Sequence, residues 1–193
     1  MKKQHLDFNP LGNLTPFEKG ASYVWGKKTL NFLVQIRSEK ASLYCIEGKK
    51  GTGKTTLLQN LEYQLEDSKY HSFKKNEKVD LTGFPESILI FDRVYNLSIK
   101  NRIKIWKSEK TIIYSAHMDT YGFEQLGRGK KEKLKLGRKK FEELKEIVSK
   151  KFEIQNLKMT DFGEAFSDES ITVVCEKHSG NPREVIKELY YYI

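Results

Sequence analysis

"LYCIEGKKGTGKTTLL", Leu43 to Leu58, is the stretch on which the fold turns. At its centre, Gly48-Lys49-Lys50-Gly51-Thr52-Gly53-Lys54-Thr55 satisfies the pattern G-x-x-x-x-G-K-[ST]. A strand-like apolar run ("SLYCI") precedes the glycines, and a helix-like run ("KTTLLQNLEYQL") follows them. In that order, glycines let backbone N–H groups wrap a phosphate, and the helix N-terminus adds its positive end. Lys54 would reach the outer phosphates and the Thr55 hydroxyl would ligate Mg²⁺, with Gly48 to Thr56 as the binding segment. The stretch predicts a nucleotide site.

Outward from the loop, short apolar runs alternate with longer polar segments: "KVDL", "SILIF", "TIIYS" and "KLKL" follow "SLYCI". Bounded, mostly unalternating runs of this length predict strands buried on both faces. With helical stretches between several of them, they predict an α/β domain with a largely parallel sheet. "SILIFD" ends in Asp92, whose carboxylate at that strand end would sit beside the phosphate loop and hold the water shell of Mg²⁺. Upstream, a helix is expected over Lys27 to Ser38 with Leu30, Leu33, Val34 and Arg37 on one face. The breaker-rich "NPLGNLTPFEKG", Asn9 to Gly20, reads as an extended leader. Beyond Leu136 the pattern turns helical, with Ser167 and Asn181 as N-caps and Pro182 at a first helical position. The expected organisation is a nucleotide-binding core over 1–136 and a small helical subdomain over 137–193.

Composition narrows the function classes. The 193 residues are 38% hydrophobic, enough for a packed core in one domain with an appended subdomain. Cys45 and Cys175 lie far apart, which argues against a zinc site or a disulfide framework and suits a reducing compartment. "MKKQHLDFNP" leads into no apolar h-region, so no signal peptide is expected. Runs such as "SILIF" are too short to span a bilayer. A soluble, cytoplasmic protein with no membrane partner is expected. The net charge of +9 has two readings: a nucleic-acid partner, or solvated surface lysine in a chain rich in Lys, Ile, Asn and Tyr. The densest basic segment, Arg128 to Lys140 ("RGKKEKLKLGRKK"), has few aromatics. It reads either as a phosphate-backbone contact or as a surface loop and edge strand whose lysines discourage aggregation.

The succession of phosphate loop, "SILIFD", "TIIYSAH" and "SGNPREVIKELY" resembles the AAA+ and related STAND-type ATPases. The Gly-Asn-Pro-Arg phrase is similar to the lid of transposition- and secretion-associated AAA+ ATPases. The resemblance runs from about Asn9 to the end of the chain. It implies a five-stranded P-loop fold of the ASCE type with a C-terminal helical lid, and ATP with Mg²⁺ as cofactors. It also implies roles: His117 as the polar sensor at the end of its strand, with Ser115 as nearest rival, and Arg183 reading the γ-phosphate from the lid. Arg128 would stand where an arginine finger reaches a neighbouring subunit's nucleotide. In most members the metal-holding aspartate is followed by a glutamate that polarises the attacking water. Here Arg93 follows Asp92, and arginine stays protonated. Glu47 and Asp119 are the substitutes within reach in the sequence.

Three classes of function compete. The leading one is an ATP-dependent switch or motor acting on a protein or nucleic-acid partner, with slow basal hydrolysis. The others are an ATP-binding regulatory subunit without turnover, and a small-molecule P-loop kinase, for which no acceptor-binding signature is present. A guanine-reading Asn-Lys-x-Asp motif does not occur. Since the lid-like tail runs to the last residue, the effector is expected on another polypeptide or in a homo-oligomer.

Overall fold

Five parallel strands carry the nucleotide-binding motif, in the spatial order β2-β3-β4-β1-β5. The computed structural model describes residues 23–38, 42–117 and 129–191. Their elements are α1 (Lys27–Arg37), β1 (Leu43–Gly48), α2 (Lys54–Gln64), β2 (Ser68–Ser72), β3 (Ile88–Asp92), α3 (Ile99–Trp106), β4 (Thr111–Ala116), β5 (Lys131–Leu136), α4 (Phe141–Ile154), α5 (Asp168–Lys177) and α6 (Pro182–Tyr190). Short 3₁₀ segments cover Val94–Asn96 and Met159–Phe166. The chain divides into two compact units. Trp25–Lys50 with Lys54–Leu136 makes one, and Gly137–Ile193 with Gly51–Gly53 belongs to the other.

In the sheet unit, burial follows strand position. β1 lies between β4 and β5, and its Leu43, Tyr44, Cys45 and Ile46 are all buried, as a strand covered on both faces requires. One face packs Leu43 and Cys45 with Leu89, Phe91, Ile112 and Tyr114 from neighbouring strands, under Ile105 and Trp106 of α3. At the sheet edge, β5 buries only Leu134 and Leu136 while Lys133 and Lys135 face solvent, matching the edge-strand reading of the basic segment.

Two sequence expectations are corrected here. "KVDL" forms no strand: Val79 is buried, but the Asp80 carboxylate accepts from the Thr82 N–H (3.0 Å) and hydroxyl (2.7 Å), closing a turn. The strand beside β3 is instead "SKYHS", a polar edge strand that no apolar run announces. The helix near residue 30 forms, but it buries Thr29, Phe32, Leu33 and Ile36, leaving Leu30 and Val34 exposed. Both stripes obey helical spacing. The one carrying Phe32 and Ile36 removes more apolar surface from water and therefore faces the core. Arg37 reaches sideways, its Nη2 donating to the Gln64 carbonyl at 2.9 Å.

The other unit has its own core of Leu144, Val148 and Phe152 from α4, Phe166, Ile171 and Val174 from α5 and the segment before it, and Val185 and Leu189 from α6. Its caps are those read from the sequence. The Ser167 side chain accepts from Ser170 N, and Asn181 accepts from Arg183 N with Pro182 at the helix start. Among the described residues no helix is long and apolar enough to cross a membrane.

Candidate nucleotide-binding site

The phosphate loop follows from β1 and α2. β1 ends at Gly48, α2 begins at Lys54, and between them Gly51 and Gly53 adopt φ of +89° and +90°. Side-chain-bearing residues rarely take that conformation, so the motif's glycines are needed where the loop turns. The Lys54 ammonium bends back along the loop and donates to the carbonyls of Gly48 (2.5 Å) and Lys49 (2.9 Å). Thr52 is buried, whereas Lys49 and Lys50 are exposed.

Strand register decides which side chains join this loop. Paired residues in a parallel sheet share a face, and successive residues alternate. Phe91 pairs with Tyr114 on the face packed against α3, so Asp92 and Ser115 point to the opposite face. Ser72 pairs with Asp92, which places Ser72, and Tyr70 two residues earlier, on that same opposite face. Asp92 is 3% exposed and takes donors on both oxygens. Thr55 Oγ1 donates to Oδ2 at 2.8 Å, and the Tyr70 hydroxyl stands 3.4 Å from that oxygen. The Ser115 hydroxyl and the Arg93 N–H (2.9 Å) donate to Oδ1. A buried carboxylate needs this: each hydrogen bond to a charged group is worth about 1.5–3 kcal/mol, against a desolvation cost of several. Arg93 itself sits at φ +56° in the left-handed region, at a cost of about 1–2 kcal/mol. Its side chain is exposed.

His117, one residue past β4, is half-buried and packs against Tyr95 in a tilted arrangement, 5.2 Å between ring centroids. Burial, then the Lys54 ammonium, lowers its pKa below the usual imidazole value; Asp92 opposes the shift and Lys50 adds to it. The imidazole is therefore biased toward its neutral form, and its electrostatic neighbours include Lys54, Lys50 and Asp92. Tyr70 is held in its protonated form, its pKa pushed up to about 12 by burial and by Asp92.

Glu47 is elsewhere. It shares the strand parity of Cys45 and so lies on the face opposite Asp92, where its Oε1 accepts from Lys133 Nζ at 2.9 Å. Arg183 is exposed at the second position of α6, in the unit built on Gly137–Ile193. Arg128 and Asp119 lie outside the described residues, as does the leader Asn9 to Gly20. Sequence reasoning missed Tyr70 because its strand has no apolar signature. The register with Asp92 is the signal that reveals it.

The donor set fits a hard divalent cation. Thr55 and Asp92 present oxygen atoms only, and the buried Asp92 carboxylate brings negative charge to that point.

No family model matches the chain. No curated protein sequence matches it either. Among solved structures, the chain is similar to the RuvB Holliday junction branch migration motor of Thermotoga maritima, with 16% identity and a TM-score of 0.58, covering 86% of this chain and 61% of that one. A point variant of the same motor gives 17% identity and a TM-score of 0.55, over 84% and 59%. The chain thus spans about 61% of the length of the motor it matches. At such identity the likeness is one of fold: five parallel strands and their helices form an α/β architecture like that of the motor.

Proposed function

We propose that this protein binds ATP with Mg²⁺ and works as an AAA+-like nucleotide-dependent switch or motor, with slow basal hydrolysis. The observation that carries the reading is the 2.8 Å bond from Thr55 to the buried Asp92, directly after a complete G-x-x-x-x-G-K-T loop. In this reading the loop N–H groups from Gly48 to Thr56 cradle the phosphates, and Lys54 leaves the loop carbonyls for the outer phosphate oxygens. Asp92 and Thr55 hold Mg²⁺, which when bound neutralises charge on the terminal phosphates. His117 senses the γ-phosphate end of the site, and Arg183 reads it from a lid spanning 137–193, with the core spanning 1–136. Arg128 would serve a neighbouring protomer in a homo-oligomer.

Arg93 is the reason for slow turnover. It occupies the place of a water-polarising carboxylate and cannot accept a proton. The same observation favours a second reading, an ATP-binding regulatory subunit that holds nucleotide without hydrolysing it. For the partner, the net charge of +9 and the fold shared with a Holliday junction branch migration motor support nucleic acid. A protein partner stays in competition because Lys130, Lys133 and Lys139 each already pair with a glutamate. A cytoplasmic location accords with the two buried, unbridged cysteines.

Lys54→Ala tests the nucleotide site. The variant should lose detectable binding of a fluorescent ATP analogue while its thermal melt stays that of the parent protein. Unchanged affinity would refute the assignment.

A further inference from the structure

The connection between β2 and β3, residues 73–87, contains no helix or strand, yet it is held along its length. Side chains from the segment 96–110 donate to its carbonyls in matching order. Asn96 Nδ2 reaches Phe73 at 2.8 Å, Asn101 Nδ2 reaches Glu77 at 3.1 Å, Lys104 Nζ reaches Val79 at 3.0 Å, and Lys110 Nζ reaches Glu86 at 2.8 Å. Both runs ascend together, so the connection lies beside α3 and parallel to it. Val79, Leu81 and Phe84 pack into the same core as Ile105 and Trp106 of α3. Connection and helix together make one fixed ridge. Its near end adjoins the site strand, where the Phe73 N–H donates to the Asp92 carbonyl at 3.2 Å.

What the ridge exposes is positive charge. Lys74, Lys75 and Lys78 stand out from the connection, and Lys100, Lys104 and Lys107 from α3 and its C-cap. The last three follow i, i+4, i+7 spacing, a single helical stripe about 10 Å long. α3 itself contains no acidic residue. The connection's own carboxylates are engaged or turned inward. Glu77 faces His71 Nε2 at 2.6 Å and accepts from the Lys74 N–H at 2.7 Å, Asp80 accepts from Thr82, and Glu86 keeps Oε2 buried. Among the described residues none of these lysines forms a salt bridge. In the basic segment, by contrast, Lys130, Lys133 and Lys139 each face a glutamate.

We propose that this ridge is a docking surface for the phosphate backbone of duplex nucleic acid, additional to the basic segment at β5. Charge complementarity selects the partner. A duplex carries one negative charge per about 1.7 Å of axis, so a 10 Å stripe faces about six of them. Lysine ammoniums are compact point charges that meet phosphate without reading bases. The rings of the connection and α3, Phe73, Phe84 and Trp106, are turned into the core, which leaves no platform on which single-stranded bases could stack.

The inference rests on the nucleic-acid reading of the partner, and one series of measurements separates the two. The full chain is titrated against a short labelled DNA duplex by fluorescence anisotropy over a range of salt. The ridge variant combines Lys78→Ala, Lys100→Ala and Lys107→Ala, leaving Lys104 to hold the connection. A control combines Lys27→Ala, Lys28→Ala and Lys187→Ala, exposed positions off the ridge that remove the same charge. The ridge variant should bind more weakly, with its log–log salt slope reduced by about 2.7 for three lost phosphate contacts. The control should keep the parent slope, and arginine at the three ridge positions should restore it. Equal losses in ridge variant and control, or no loss in the ridge variant, would overturn the surface and leave nucleic acid as the partner. If the parent protein binds no duplex at low salt, the surface and the nucleic-acid reading fail together, and a protein partner is favoured.

Discussion

Thr55 and Asp92 lie 37 positions apart and meet through a 2.8 Å hydrogen bond. One opens the helix after the phosphate loop and the other closes β3. The bond is the tertiary signature of the site, because it aligns the hydroxyl and the carboxylate on one face of the sheet. Glu47 stands one residue before the end of β1 in the same sheet yet faces the other way, held by Lys133.

That contrast predicts where a missing base can be restored. Arg93→Glu should raise single-turnover hydrolysis, with about 10²-fold as the low end of the general-base contribution. Glu47→Gln should leave the rate unchanged, since its carboxylate is turned from Asp92 and engaged with Lys133. A large loss in Glu47→Gln would show that the salt bridge opens and that Glu47 supplies the base.

For the lid, Arg183→Ala should weaken ATP binding more than ADP binding, by about 1.5–3 kcal/mol for a charge-assisted hydrogen bond. Calorimetry with both nucleotides measures the difference. Equal losses, or none, would remove the γ-phosphate role.

The basic segment is tested at its exposed positions. Replacing Lys130, Lys135 and Arg138 by glutamate should weaken DNA or RNA binding. Its salt dependence should flatten, by about 0.9 in log–log slope for each duplex phosphate that is no longer neutralised. Absence of binding by the parent protein at low salt would make this stretch ordinary surface and favour a protein partner.

Acid stability depends in part on Glu188, whose pKa is lowered by the hydrogen bond from Lys177, then by that from His178. A depressed carboxylate stabilises the folded state above its unfolded pKa and loses that contribution as pH falls through the folded value. The folded value lies below 4.5, so the melting temperature should drop below that pH more steeply in the parent protein than in Glu188→Gln. Parallel melting curves across the acid range would assign Glu188 no such part.

What the sequence by itself determined is what local chemistry determines. The strand–loop–helix around Gly48 to Thr55 follows from glycine spacing, and β3 follows from an apolar run ending in Asp92. The C-terminal helices start where Ser167 and Asn181 can accept from backbone N–H groups. Tertiary structure decided whatever depends on a partner far along the chain. "SKYHS" becomes a strand only because β3 offers it a ladder, while "KVDL" gives up its ladder to the Asp80 turn. α1 could bury either of two stripes, and the packed core selected the one with Phe32 and Ile36. Tyr70 and Glu47 were sorted to opposite faces by register, because strand side chains alternate and only the pairing says which side meets the nucleotide loop.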